Sequence, residues 1–212
     1  LAVGNVDLFK NTYKPLLINT IKAPTPDCFF REAGETWENY SLRKFTELET
    51  ILNNQHHEIA AVFIEPLVQC GGNMRMYHPI YLTKLREACT KYNTHLICDE
   101  IAVGFGRTGT MFACEQANIS PDFMCLSKGL TGGYLPLSVT MTTNKIYDAF
   151  YDDYTNQTAF LHSHSYTGNP LACTAALATI ELFEQNNTIA NNQLLAKQIW
   201  ANLEELLDHP NI

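Results

Sequence analysis

Residues 95–132, HLICDEIAVGFGRTGTMFACEQANISPDFMCLSKGLTG, constrain this chain more than any other stretch. Two short apolar runs, residues 95–98 and 123–126, are bounded by polar or turn-forming residues. Runs of that length predict buried strands of an α/β sheet. Asp99 ends the first run and Lys128 follows the second. Ligand-binding side chains in parallel sheets gather at the carboxyl ends of the strands. The pattern therefore predicts that an acid and an amine share one edge of a sheet.

That pair has a chemistry. A lysine amine forms a Schiff base with an aldehyde. A carboxylate against a pyridine nitrogen keeps that nitrogen protonated, so that the ring can accept electrons. Pyridoxal 5'-phosphate (PLP) is the cofactor that needs both. The bare pair also admits a plain reading, with Asp99 as a helix cap and Lys128 as a solvated loop residue. A third reading comes from Gly104, Gly106 and Gly109, which spell GxGxxG after a strand. A dinucleotide-binding fingerprint opens a helix directly and carries a ribose-binding acid about 20 residues on. Here Arg107 and Thr108 sit inside the loop, and neither Glu115 nor Asp122 is well placed. The sequence ranks dinucleotide binding below PLP.

The rest of the chain reads as support. At 212 residues there is enough chain for one substantial core, with room for part of a second domain. The net charge of −8, with no basic run, gives no nucleic-acid signature. No apolar stretch approaches the ~20 residues that span a bilayer, and no signal-peptide layout opens the chain. The first residue is Leu1 rather than Met, so the chain is expected to begin inside a longer protein. Seven scattered cysteines with no CxxC argue for a reducing compartment, the cytoplasm, and against a disulfide scaffold or a zinc site.

Residues 1–40 are irregular, broken by Pro15, Pro24 and Pro26, with a short strand expected at 16–19. Residues 41–54 predict an amphipathic helix with Ser41 as its N-cap and Leu42, Phe45, Leu48 and Leu52 at helical spacing. Residues 61–64 predict a buried strand that Pro66 stops, placing Glu65 at its end. Gly71 and Gly72 predict tight turns, and His78 a capping or packing role before a helix over 79–93. Further on, a short helix is expected at 111–117, a strand at 137–142, and helices at 144–150, 169–185 and 188–208. The loop HSHSYTGNP, 162–170, opens the long helix. Free amides and hydroxyls at a helix start suit a phosphate, although the serines could equally serve as N-caps alone.

Three strings, CDEIAVGFGRTG (98–109), SKGLTGG (127–133) and HSHSYTGNPLAC (162–173), together resemble the class III PLP-dependent aminotransferases. HHEIAAVFIEPLVQCGGNMRMYHP, 56–79, is similar to the subgroup of that family that makes 7,8-diaminononanoate in biotin biosynthesis. The resemblance implies a fold-type I large domain, α/β, with a mostly parallel sheet and helices on both faces. Residues 1–187 would be the central part of that PLP-binding domain. Residues 188–212 would start the connection to a small C-terminal domain.

The resemblance also implies roles. Lys128 and Asp99 would be catalytic, with Asp99 against the pyridine nitrogen and Ile101 against one face of the ring. Many class III members hold glutamine where this chain has Ala102, a departure that fits the diaminononanoate subgroup. Arg107 would hold a substrate carboxylate, unless it is tied to backbone carbonyls. Glu65 would pair with an active-site arginine, unless it is a solvated or capping acid. Ser165, with His164, would reach the PLP phosphate of the partner in a homodimer with shared sites, and Ser163 would touch substrate. His164 stands where some members have proline, which leaves the parts of Ser163 and His164 open. The donor would be S-adenosylmethionine, or lysine as in some relatives, and the acceptor 8-amino-7-oxononanoate. Other class III reactions, on ornithine, 4-aminobutyrate or a diamine, stay as alternatives. The family's phosphate-gripping glycine-serine loop, its ring-stacking aromatic and its C-terminal arginine have no candidates here. The chain is therefore expected to be a fragment, not fully active alone.

Overall fold

The computed structural model describes residues 1–4 and 6–207. Its centre is a four-stranded sheet in the order β1, β4, β5, β6. β1 (Ala61–Ile64), β4 (His95–Asp99) and β5 (Phe123–Leu126) run parallel, and β6 (Val139–Thr142) is antiparallel to β5. A separate two-stranded ribbon, β2 (Val68–Gln69) with β3 (Arg75–Met76), follows β1. The described helices are α1 (Asp7–Lys10), α2 (Trp37–Gln55), α3 (Ile80–Lys91), α4 (Asn144–Asp148), α5 (Pro170–Gln185) and α6 (Thr188–Leu207). None of them is long and apolar enough to cross a membrane. The architecture is α/β, a mostly parallel sheet with helices on both sides, as expected.

Parallel neighbours need a crossover connection, and α3 supplies it between β1 and β4. Its stripe of Tyr81, Leu82, Leu85, Ala88 and Cys89 is buried. The stripe of Tyr40, Phe45, Leu48 and Leu52 on α2 meets it. The Phe45 and Tyr81 rings pack edge to face with centroids 5.8 Å apart. Leu96 and Cys98 of β4 close this core from the sheet side, both fully buried. Each such side chain contributes about 1.5–3 kcal/mol through the water it sheds.

Asp122 then locks the sheet to α3. Its Oδ2 accepts from the Leu96 amide at 2.7 Å and from Arg86 Nη1 at 2.8 Å. Burial pushes this carboxyl up, but the Leu96 amide and the Arg86 guanidinium outweigh it and hold it below its ordinary range.

Several expectations change. The helix expected over 41–54 starts earlier, because Thr36 caps it by accepting from the Asn39 amide at 3.1 Å. Ser41 is instead buried inside α2, where its hydroxyl accepts from the His78 amide at 3.1 Å. Residues 16–19 form no strand; a 3-10 helix, Asn11–Leu16, leads into extended coil there. β4 is buried on one side rather than throughout, its burial alternating along its length, and the antiparallel β6 is exposed. The helix over 188–208 is α6, whose expected last residue lies outside the described residues. His78 takes the capping role, its Nδ1 accepting from the Ile80 amide at 3.2 Å.

Candidate active site

Register brings the acids together. Ile64 of β1 is paired with Cys98 of β4. Asp99 is the next and last residue of β4 and Glu65 the residue just past β1, so the two follow paired positions on strands about 4.8 Å apart. On the other side, Asp99 is paired with Cys125 of β5, and the Glu100 amide donates to the Cys125 carbonyl at 3.0 Å. Lys128 follows at the end of β5. Three parallel strands thus lead, in order, to Glu65 just past β1, Asp99 at the end of β4 and Lys128 two residues past β5.

Lys128 begins a 3-10 turn, Lys128–Thr131, with its own backbone left-handed at φ 46° and its side chain exposed. That conformation costs a non-glycine residue about 1–2 kcal/mol, and such strain collects where chemistry needs a fixed side chain. The surroundings hold it. Ser127 Oγ donates to the Leu137 carbonyl at 2.7 Å, and Thr131 Oγ1 to the Leu135 carbonyl at 2.6 Å. α5 packs against the turn.

The carboxyls are fixed by short loops. Asp99 Oδ1 accepts from the Ile101 amide at 3.0 Å, which leaves Ile101 half-buried just past the strand end. Glu65 Oε1 accepts from the Cys70 amide at 3.2 Å, and the Glu65 carbonyl accepts from the Tyr77 hydroxyl at 2.7 Å. Burial raises the Glu65 carboxyl above its ordinary value. The negative charge of Asp99 adds to this, while the Gly71 and Cys70 amides and the Lys128 amine oppose it. The Cys70 thiol is also raised, first by burial and then by Glu65 and Asp99, against the pull of Lys128 and Arg107. One loop thiol therefore feels Glu65, Asp99, Lys128 and Arg107 together.

Of the residues expected at the site, the fold brings together Glu65, Asp99, Ile101, Arg107 and Lys128. Arg107 is exposed, and among the described residues no hydrogen bond ties its guanidinium to a backbone carbonyl. A cleft of about 850 Å³ runs from Arg107 between residues 105–110 and α6, not over Asp99 and Lys128. Among the described residues, Ser163, His164 and Ser165 make no hydrogen bond to Glu65, Asp99 or Lys128. They lie on an exposed loop whose hydrogen bonds are local, His164 Nδ1 accepting from the Tyr166 amide at 3.2 Å. They do not cap α5 either, because Asn169 Oδ1 accepts from the Leu171 and Ala172 amides.

The GxGxxG reading fails on geometry. Gly104 to Gly109 run through turns and open no helix; the next helical residues are the 3-10 segment Ala113–Ala117. What sequence reasoning missed is Glu100. It is fully buried and accepts from the Ala113 and Cys114 amides at 2.9 and 2.8 Å. The only signal was its place next to Asp99 at the end of an apolar run.

The Aminotransferase class-III family matches this sequence over residues 1–212. The chain belongs to that family. Class-III relatives named adenosylmethionine-8-amino-7-oxononanoate aminotransferase are 48% identical in Helicobacter pylori, over 98% of this chain, and 45% identical in Aquifex aeolicus, over 97%. The chain spans 45% of the length of each of these two. The crystal structure of the enzyme of the same name from Methanocaldococcus jannaschii superposes with a TM-score of 0.84 at 36% identity, covering 98% of this chain and 45% of that one. An omega transaminase from Pseudomonas jessenii, solved in complex with PMP, gives a TM-score of 0.76 at 32% identity over 85% of this chain and 40% of its own.

Proposed function

We propose that the whole protein is a PLP-dependent aminotransferase in which this chain carries the residues that anchor the cofactor. The observation that carries this reading is the set of parallel strand ends, with Asp99 closing β4 and Lys128 two residues past the end of the neighbouring β5. The donor set fits PLP: one amine, one carboxylate, and the half-buried side chain of Ile101 beside the carboxylate. PLP, when bound, supplies an aldehyde that captures an amine and a ring that takes up the electrons of a carbanion.

The chain's own residues would do the rest. Lys128 Nζ would hold the cofactor and, once displaced by the amino donor, carry the proton between donor carbon and cofactor. Asp99 would keep a proton on the ring nitrogen. Arg107 would bind a substrate carboxylate through its planar guanidinium. Ser165 and His164 would meet the partner's phosphate group, and Ser163 the substrate, so the working unit would be a homodimer. The free cysteines among the described residues fit a cytoplasmic setting.

The relatives' printed names support a specific reaction. The amino group would move from S-adenosylmethionine, or lysine, to 8-amino-7-oxononanoate, giving 7,8-diaminononanoate for biotin biosynthesis. A second reading, a class III transaminase with another amine substrate, draws on the omega transaminase likeness. Borohydride reduction of the full-length protein with PLP should fix the cofactor on Lys128, as read by peptide mapping. A Lys128→Ala protein that still forms the adduct would overturn the cofactor reading. Supplying each donor with the keto acid and looking for the diamine separates the two reactions.

A further inference from the structure

Glu100 is fully buried, and nothing in the chemistry above uses it. A buried carboxylate is costly unless its oxygens are satisfied. Here each oxygen takes one amide: Oε2 from Ala113 and Oε1 from Cys114. The backbone of Glu100 is also engaged at both ends. Its amide donates to Cys125 of β5, and its carbonyl accepts from the Gly104 amide at 2.8 Å. A Cβ at position 104 would stand 2.8 Å from that carbonyl oxygen, so the close approach requires glycine. Glu100 therefore closes the segment 101–112 end to end.

That segment reaches the site at two points. It carries Arg107. It also carries Phe105, which lies directly on the turn of Lys128: a Cβ at Gly129 would stand 2.8 Å from Phe105 Cβ. We infer that Glu100 is a positioning residue. Its carboxylate holds 101–112 shut, so that Phe105 sets the Lys128 turn and Arg107 is kept at the edge of the site. This role rests on Lys128 and Arg107 acting as proposed above.

The test uses full-length protein. Glu100→Gln keeps the shape but turns an amide NH₂ toward one of the two backbone donors. In the cofactor-free protein, hydrogen exchange across 101–114 should then quicken by about tenfold, as expected when a charge-assisted hydrogen bond is lost. In the loaded protein KM for the carboxylate-bearing substrate should rise about tenfold, and kcat should fall as well, because Phe105 no longer sets the Lys128 turn. Gly129→Ala, which disturbs the Lys128 turn alone, should lower kcat about tenfold at constant KM. It should also move the midpoint of the cofactor's absorbance–pH titration. A merely structural role would change activity only through the amount of folded protein, and that result overturns the inference. So does wild-type exchange across 101–114 in Glu100→Gln. If Glu100→Gln does not fold, unchanged kcat and pH midpoint in Gly129→Ala overturn it. Should wild type form no adduct on Lys128, the cofactor reading fails, and the exchange measurement alone still decides whether Glu100 closes the segment.

Discussion

Glu65 is an acid whose protonation the fold shifts. Burial raises its carboxyl, so the folded chain binds that proton more tightly than the unfolded chain does. The stability this gives is complete below the ordinary carboxylate range and is lost as pH rises through the folded value. Glu65→Gln keeps an oxygen for the Cys70 amide and cannot ionise. It should match wild type in urea melts at acid pH and exceed it at neutral pH; a variant no more stable at neutral pH contradicts this account. At this scale the places of Asp99 and Lys128 at strand ends were legible, because residue type after an apolar run marks them. Glu100 was not, since its partners Ala113 and Cys114 lie beyond a loop whose path the sequence does not display.

Elements were legible where periodicity or a turn residue marks them, and less so where a cap or a tertiary bond decides. The N-terminus of α2 shows the difference. Ser41 and Thr36 both suit an N-cap by type, but the chain turns at Thr36 and Ser41 serves the His78 amide instead. Thr36→Ala should therefore cost about 1 kcal/mol of stability, read by denaturant melts. Asp122 matters more, because it ties α3, β4 and the start of β5. Asp122→Ala should cost about 2 kcal/mol at neutral pH, the scale of hydrogen bonds to a charged group. Its carboxyl is held low despite burial, so this stabilisation is present above the ordinary carboxylate range and is lost as pH falls through the folded value. The gap between variant and wild type should close in acid.

Across the whole molecule, the α2–α3 side of the sheet holds the main core and the other surfaces stay open. Leu82 is fully buried in that core. Leu82→Ala should cost about 2–5 kcal/mol, measured by the same melts. By contrast, β6 is exposed along its length, and Leu161, Tyr166, Leu177 and Trp200 stand out in solvent. Exposed apolar surface of this extent marks interaction faces, and the relatives are more than twice as long as this chain. Backbone exchange in β6 should be slower in the full-length protein than in residues 1–212 alone. Equal rates would mean that nothing covers it there.

The sequence by itself determined the strands that lead to Glu65, Asp99 and Lys128 and the long helices, because apolar spacing and residue type are local properties, and its motif strings carried the resemblance to the family. Only the tertiary structure decided the register that sets Ile64 opposite Cys98 and Asp99 opposite Cys125, that 101–112 folds back onto Glu100, and that Ser163, His164 and Ser165 lie on an exposed loop. Register and loop closure depend on hydrogen bonds between residues far apart in the chain, and no local pattern encodes those.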